Sequence, residues 1–189
     1  MLVGGSPADC VVTGITHVLA DKAPDIVLSG VNNGQNLGDI LNCSGTVAGA
    51  REGALHGALG IGISQAVNYD ARLEVDWTNT RRHAAKVVKA IFAEARAHDV
   101  YYNVNVPFAE TVTGVRVVPS QRFAHSPMAY YPSDNAGKFF IAIPKTPLPL
   151  DPTSDFHLLM HEGAITVTPL RLQQSDHELA RRLDGRIRL

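Results

Sequence analysis

The sequence lacks the features that mark membrane, secreted and nucleic-acid-binding proteins. No run approaches the roughly 18 apolar residues that span a bilayer. The N-terminus, MLVGGSPADC, has no basic stretch followed by a long apolar core, so it does not read as a secretory signal. The 17 basic and 18 acidic residues leave a net charge of −1, which argues against specific nucleic-acid binding.

Cysteine is scarce, and histidine is scattered. Cys10 and Cys43 give neither a disulfide framework nor a zinc spacing, so we predict a reduced, cytoplasmic protein. We interpret Cys43 as a small buried residue without a chemical role. The eight histidines are interpreted as isolated, with no paired arrangement of the kind a zinc protease uses.

The sequence does contain an alternation of helix and strand patterns, over 189 residues of which 45% are hydrophobic. Ser6, Pro7 and Asp9 have the order of a helix start, and the apolar run 25–30 is typical of a strand buried on both faces. We predict an α/β fold in one domain, 1–189, with a mostly parallel sheet covered by helices on both faces. The predicted helices are 7–19, 47–56, 79–97 and 175–183, and the predicted strands are 25–30, 59–64, 101–106, 111–118, 138–143 and 163–170.

Proline and aromatic residues are concentrated in 119–155. That composition predicts a protruding β-rich arm rather than a second core. Its exposed-looking aromatic side chains favour a contact between subunits.

A polar loop follows the first predicted strand, where ligands bind in open parallel α/β sheets. Asparagine can offer an amide oxygen to a hard cation or an amide nitrogen to a phosphate. Ser44-Gly45-Thr46 then opens a helix, whose free N–H groups and positive dipole end favour an anion. The succession indicates a phosphate or nucleotide site, although a plain loop followed by a plain helix cap stays possible. The polar residues concerned are Ser29, Asn32, Asn33, Gln35, Asn36 and Asp39.

A nicotinamide- or flavin-binding alternative is disfavoured by the glycines of this loop. Gly30, Gly34 and Gly38 recur every four residues, which is not the Gly-x-Gly-x-x-Gly spacing of dinucleotide-binding loops.

Several motifs of the chain resemble those of the SurE family, the survival protein E family of metal-dependent nucleotidases. The likeness runs in order along essentially the whole chain, and its second and third motifs are long and specific. The matching segments are Gly5-Ser6-Pro7-Ala8-Asp9-Cys10, Ser29-Gly30-Val31-Asn32 with Gly34, Asn36, Leu37 and Gly38, Ser44-Gly45-Thr46-Val47-Ala48 with Glu52 and Gly53, Asn103-Val104-Asn105-Val106-Pro107, 153–156 and 166–170.

The resemblance implies a three-layer Rossmann-like fold and a phosphatase that hydrolyses nucleoside 5'- or 3'-monophosphates with a divalent metal ion, Mn²⁺ or Mg²⁺. It implies that Asn32 is a metal ligand. Asn36, Ser44, Gly45 and Thr46 would contact the phosphate, with Asn36, Ser44 and Thr46 serving catalysis. It also implies a homodimer or homotetramer built through the arm and the C-terminal helix.

The sequence departs from this family in one important respect. The family's first strands, with an Asn-Asp-Asp-Gly segment that binds the metal, are missing from the match. Mg²⁺ and Mn²⁺ prefer sites with carboxylates, and Asp39 is the only acidic residue of the loop that could substitute. We therefore expect little or no phosphatase activity from this chain alone. The alternative is a non-catalytic remnant that binds nucleotide phosphate or only oligomerises.

Overall fold

The computed structural model describes residues 3–68, 74–94, 99–123, 129–142 and 149–187. Helices and strands alternate through most of this length, as the sequence predicts. The helices are α1 (Pro7–Thr13), α2 (Gly45–Leu55), α3 (Thr78–Glu94), α4 (Asp155–Met160) and α5 (His177–Leu183), with a π-helical turn at Gly14–Val18 and a 3₁₀ segment at Gly38–Cys43. The strands are β1 (Ile26–Asn33), β2 (Leu59–Gln65), β3 (Val100–Val106), β4 (Val115–Val117), β5 (Ala129–Pro132), β6 (Phe139–Ala142) and β7 (Ile165–Arg171).

Five strands form the main sheet, in the order β1-β2-β3-β7-β4. β1, β2 and β3 are parallel, β7 runs antiparallel to β3, and β4 pairs in parallel with β7. The prediction of a mostly parallel α/β sheet is therefore confirmed. Because β1 and β2 run in parallel, the loop after β1 and the end of β2 meet at one edge of the sheet.

Helices cover the centre of the sheet on both faces, which gives three layers. On one face α3 contributes Val87 and Ile91 to a core with Ile61, Val104 and their neighbours. On the other face α2 packs closely, because a Cβ on Gly60 would stand only 1.9 Å from the carbonyl oxygen of Ala50. Glycine at this position of β2 therefore sets the distance between α2 and the sheet.

The strand β1 differs from its prediction. The sequence predicts burial on both faces, but the side chains of Leu28 and Val31 are 54% and 39% exposed, and only Ser29 of this strand is buried. The prediction is wrong because β1 is an edge strand of the sheet formed by the described residues, paired only with β2. An apolar run alone does not distinguish an edge strand from a central one.

The start of α1 is as predicted. Ser6 accepts a hydrogen bond from the Asp9 backbone while the Asp9 carboxylate accepts from the Ser6 backbone at 2.8 Å, which is a reciprocal capping box. Hydrogen bonding by Ser6 holds the pKa of Asp9 below its usual value.

The fourth predicted strand is much shorter than expected, and the terminal helix begins two residues later than the predicted 175. The strand predicted over 111–118 is reduced to three exposed residues in β4. The arm contains a two-stranded hairpin of β5 and β6, on which Tyr130 and Phe139 meet edge to face at 5.3 Å. The terminal helix α5 begins after Asp176, whose side chain accepts from the Leu179 backbone.

No helix in the described part of the chain is both long and apolar enough to cross a membrane.

Candidate phosphate site

Asn32 lies at the carboxyl end of β1, beside Ser64 of β2. Its side-chain nitrogen donates to the carbonyl of Gly34 at 2.7 Å, and the Gly34 backbone in turn donates to the Gln65 carbonyl at 2.9 Å. Because the hydrogen bond uses the nitrogen, the Asn32 side-chain oxygen is the atom left for a ligand. Asn32 is half-buried, and the Gly34–Gln65 hydrogen bond ties its turn to β2.

Asn36 is held by side chains from two neighbouring strands. Its backbone N–H donates to Oδ1 of Asn105 at 2.8 Å. Its carbonyl accepts from Nδ2 of Asn103 at 2.8 Å and from Nδ2 of Asn105 at 2.9 Å. Its own side-chain nitrogen donates to Oγ of Ser64 at 2.8 Å. These bonds fix the loop to the sheet and turn Asn36 inward, leaving it 7% exposed.

The three asparagines therefore form one unit. The Asn105 side chain exchanges two hydrogen bonds with the Asn36 backbone, in the manner of a paired strand. Asn103 and Asn105 are both fully buried; the Asn105 side chain uses both its oxygen and its nitrogen, whereas Oδ1 of Asn103 has no hydrogen-bond partner among the described residues. Asn103 and Asn105 lie in a matching motif, but no role is predicted for them, because Asn36 lies 67 and 69 residues away in the sequence.

The start of α2 has the geometry expected of an anion site. Ser44 is the N-cap, in extended conformation, and its Oγ accepts from the Val47 backbone at 3.1 Å. The backbone N–H groups of Gly45 and Thr46 have no acceptor among the described residues. Gly45 also lies tight against Pro7 of α1, since a Cβ there would stand 3.1 Å from the proline ring. The helix start is thus rigid and presents two free donors.

Two carboxylates anchor the loop to the segment that leads into the arm. Asp155 is fully buried and accepts from the backbones of Gly38 at 3.0 Å and Gln121 at 2.8 Å. Burial raises the pKa of Asp155, and the hydrogen bonds from Gly38 and Gln121 oppose the rise. Asp155 lies in the matching segment 153–156, but no role is predicted for it, because Gly38 and Gln121 lie 117 and 34 residues away in the sequence.

Asp39 is the second anchor. Its carboxylate pairs with Arg122 at 2.8 Å and accepts from the Phe123 backbone at 3.0 Å. Those contacts engage both of its oxygens and hold the carboxylate towards residues 122 and 123. Its role is to tie the 3₁₀ segment to residues 122 and 123.

The described residues do not by themselves make a divalent-metal site. Among them no group of three or more histidine, cysteine, aspartate or glutamate side chains is arranged to hold a metal. Asn32 contributes one neutral oxygen, whereas Mg²⁺ and Mn²⁺ prefer sites that include carboxylates. The donor set in the described ranges is therefore incomplete.

Two interpretations of single residues need correction. Cys43 is exposed rather than buried, because it ends the 3₁₀ segment at the surface. The histidines are not all isolated: the rings of His157 on α4 and of His161, the C-cap of that helix, have centroids 5.2 Å apart, and His157 is 3.6 Å from Glu162. His125 lies outside the described residues.

The fold and the loop together define a class: a Rossmann-like α/β protein with a polar site at the carboxyl end of a parallel sheet. Residues 1–126 match the family model described as survival protein SurE. The chain is 38% identical to "5'-nucleotidase SurE" of Azorhizobium caulinodans over 186 residues, covering 96% of this chain and 72% of that protein. This chain belongs to the SurE family.

Further comparisons agree with that membership. The chain is 37% identical to "5'-nucleotidase SurE" of Brucella canis over 181 residues, covering 93% of this chain and 70% of that protein. The crystal structure of SurE from Aquifex aeolicus superposes with a TM-score of 0.81 at 28% identity, over 96% of this chain and 73% of that chain. The predicted fold class and family are thereby confirmed.

Proposed function

We propose that this chain is a phosphatase that hydrolyses nucleoside 5'- or 3'-monophosphates at the site formed by the loop after β1 and the start of α2. The observation that carries the proposal is its membership of the SurE family, with relatives named 5'-nucleotidase over 96% and 93% of the chain. The free donors at the start of α2 support it, because a helix N-terminus of this kind suits a phosphate.

In this proposal the phosphate lies against the first turn of α2. The backbone N–H groups of Gly45 and Thr46 donate to its oxygens, and the dipole of the eleven-residue helix favours its negative charge. The Ser44 hydroxyl accepts from Val47, so its own proton is free to be donated to the phosphate. These donors are fixed before substrate binds, so they stabilise charge that develops on the phosphoryl oxygens without reorganising.

Asn36 has two roles in the proposed site. Its nitrogen donates one proton to Ser64, which leaves its second proton for the substrate. Its backbone bonds to Asn103 and Asn105 hold the loop in register with β3. We propose that Asn36 contributes chiefly by placing the loop, with direct phosphate contact as its smaller part.

We extend the divalent-metal requirement of the family, Mn²⁺ or Mg²⁺, to this chain, with Asn32 contributing one oxygen. Since no group of three or more histidine, cysteine, aspartate or glutamate side chains among the described residues is arranged to hold a metal, we expect slow turnover by this chain alone. The same observation favours a second candidate function, a module that binds nucleotide phosphate without hydrolysing it.

The two candidate functions are separated by phosphate release. Purified chain is incubated with AMP and Mn²⁺, with Mg²⁺, or with excess chelator, and free phosphate is measured against an enzyme-free blank. The phosphatase proposal expects slow release that Mn²⁺ or Mg²⁺ stimulates and chelator abolishes. Release no faster than the blank under every condition contradicts it and favours the non-catalytic module.

We also propose that the protein works as a homodimer or homotetramer in the cytoplasm. The arm exposes a cluster of large apolar side chains, which usually marks a contact surface. Both cysteines are exposed and unpaired, which suits a reducing compartment. The exposed side chains of the arm are Tyr130, Tyr131, Phe139, Phe140 and Ile141.

A further inference from the structure

A cavity of about 230 Å³ adjoins the proposed phosphate site and runs along one side of α2. The helix contributes residues spaced i, i+3, i+4 and i+7, which share one face of a helix. They are Ser44, Val47, Ala48 and Arg51. At the usual helical rise, the step from the first to the last is about 10 Å along the axis. The cavity therefore begins at the residue that caps the phosphate site and continues along the helix away from it.

The interior of this cavity is apolar. Leu41, Val47 and Tyr101 belong to the second core cluster of the protein, against which Leu170 packs. Leu41 and Tyr101 are only 8% and 5% exposed, so they form a floor rather than a rim. A floor of this kind favours the burial of a flat or apolar group and has no donor for phosphate oxygens beyond the phenol of Tyr101.

The polar groups of the cavity combine hydrogen-bond donors and acceptors. Arg51 is half-buried, and no carboxylate within the described ranges pairs with its guanidinium. The Asn42 side-chain nitrogen donates to the Asp39 carbonyl at 3.2 Å, which leaves the Asn42 side-chain oxygen as an acceptor. Gln174 adds an amide that can donate or accept. Nucleobases carry donors and acceptors on the edges of flat rings, so an apolar floor with mixed polar groups around it suits them.

We propose that this cavity is the nucleobase subsite of the proposed phosphate site. The inference rests on the proposed function, because Ser44 lines the cavity and is also the residue whose hydroxyl is proposed to donate to the phosphate. A phosphate held at the start of α2 would then extend its ribose past Ser44 and place its base in the cavity. The volume lies below the roughly 300–1,000 Å³ typical of pockets for drug-sized ligands, which fits a base rather than a whole nucleotide.

This subsite would determine the substrate class. Contacts with the base are remote from phosphorus, yet they add binding energy for nucleoside monophosphates that other phosphate monoesters do not receive. The class would therefore be nucleoside monophosphates rather than phosphate monoesters in general.

The test compares AMP with ribose 5-phosphate, which keeps the phosphate and the sugar but lacks the base. Both are titrated calorimetrically into the purified chain with excess chelator, so that no metal-dependent turnover occurs. We expect wild type to bind AMP about tenfold more tightly, a difference of about 1.4 kcal/mol. A48L places a larger side chain in the cavity and should reduce AMP affinity to that of ribose 5-phosphate, with ribose 5-phosphate unchanged. A85L makes the same change at an exposed position of α3 outside the cavity and should bind both ligands as wild type does.

Equal affinity of wild type for the two ligands would overturn the nucleobase subsite, while binding of both would leave the phosphate site standing. Binding of neither ligand would overturn the phosphate site, and the subsite with it. A48L that weakens both ligands alike, or neither, would also overturn the subsite. The wild-type comparison decides the question even if A48L fails to fold.

Discussion

Replacing Asn105 by alanine should release the loop that carries the phosphate site. The variant removes the acceptor of the Asn36 N–H at 2.8 Å and one of two donors to the Asn36 carbonyl at 2.9 Å. Asn36 is only 7% exposed, so its N–H would be left buried without a partner. An unsatisfied buried donor costs roughly 1–3 kcal/mol and a lost neutral hydrogen bond roughly 0.5–1.5 kcal/mol, so we expect N105A to lose about 2–4 kcal/mol of stability.

Asn103 provides the matched control. It is equally buried and lies two residues earlier on the same strand, but it makes only one hydrogen bond to Asn36. After N103A, the Asn36 carbonyl keeps its bond from Asn105 and the Asn36 N–H keeps its acceptor. We therefore expect N103A to cost at most about 1 kcal/mol from the lost bond, because the variant also removes the buried Oδ1 that has no partner among the described residues, plus the same small loss of side-chain packing that N105A suffers.

The measurement is urea unfolding of wild type, N105A and N103A, followed by far-ultraviolet circular dichroism and analysed by linear extrapolation. The decisive quantity is the difference in free energy of unfolding between N105A and N103A, because the packing losses of the two variants are similar and cancel. Equal losses within about 0.5 kcal/mol would refute the reasoning, because the Asn105 pairing would then contribute no more than a single ordinary hydrogen bond.

Three other predictions concern the core, the buried carboxylate and the arm. Burial raises the folded-state pKa of Asp155, so the stabilisation by this group is full below the unfolded pKa near 3.8 and is lost as pH rises through the folded pKa. The free energy of unfolding of wild type relative to D155N, measured with urea at a series of pH values, should therefore fall over that pH range. A difference that does not change with pH would contradict this. G60A places a Cβ 1.9 Å from the backbone oxygen of Ala50 and should lower the free energy of unfolding by several kcal/mol, roughly the upper range for overpacking. G14A, with open space around the new Cβ, should leave the free energy of unfolding unchanged in the same assay. Equal effects of the two variants would contradict the close packing of α2 on β2. A double variant, F139S with F140S, should lower the oligomeric mass measured by light scattering on a sizing column, and an unchanged mass would exclude these two side chains from the contact.

The sequence predicts the elements whose signals are local. The capping residues Ser6 and Asp9 predict the start of α1, and the apolar spacing around Val87 and Ile91 predicts α3. The prediction for β1 fails because edge and central strands share the same apolar run, and only pairing distinguishes them.

The candidate site is predictable in part for the same reason. The consecutive residues Ser44-Gly45-Thr46 predict that Ser44 is a helix cap. The inward turn of Asn36 depends on side chains of β3, and the bond from Gly38 to Asp155 joins residues 117 apart. Contacts of that separation depend on how the strands pack, and no short motif encodes them.

The most direct test of the account is the affinity of AMP for wild type and T46V, measured by isothermal titration calorimetry with adenosine as the ligand that lacks phosphate. Thr46 is 9% exposed at the start of α2, and valine keeps its shape while removing the hydroxyl. We predict that T46V weakens AMP binding about tenfold, the loss of one hydrogen bond to a charged group, and leaves adenosine binding unchanged. AMP that binds no more tightly than adenosine would contradict a phosphate site at the start of α2, and AMP that binds equally to both proteins would exclude the Thr46 hydroxyl from that site.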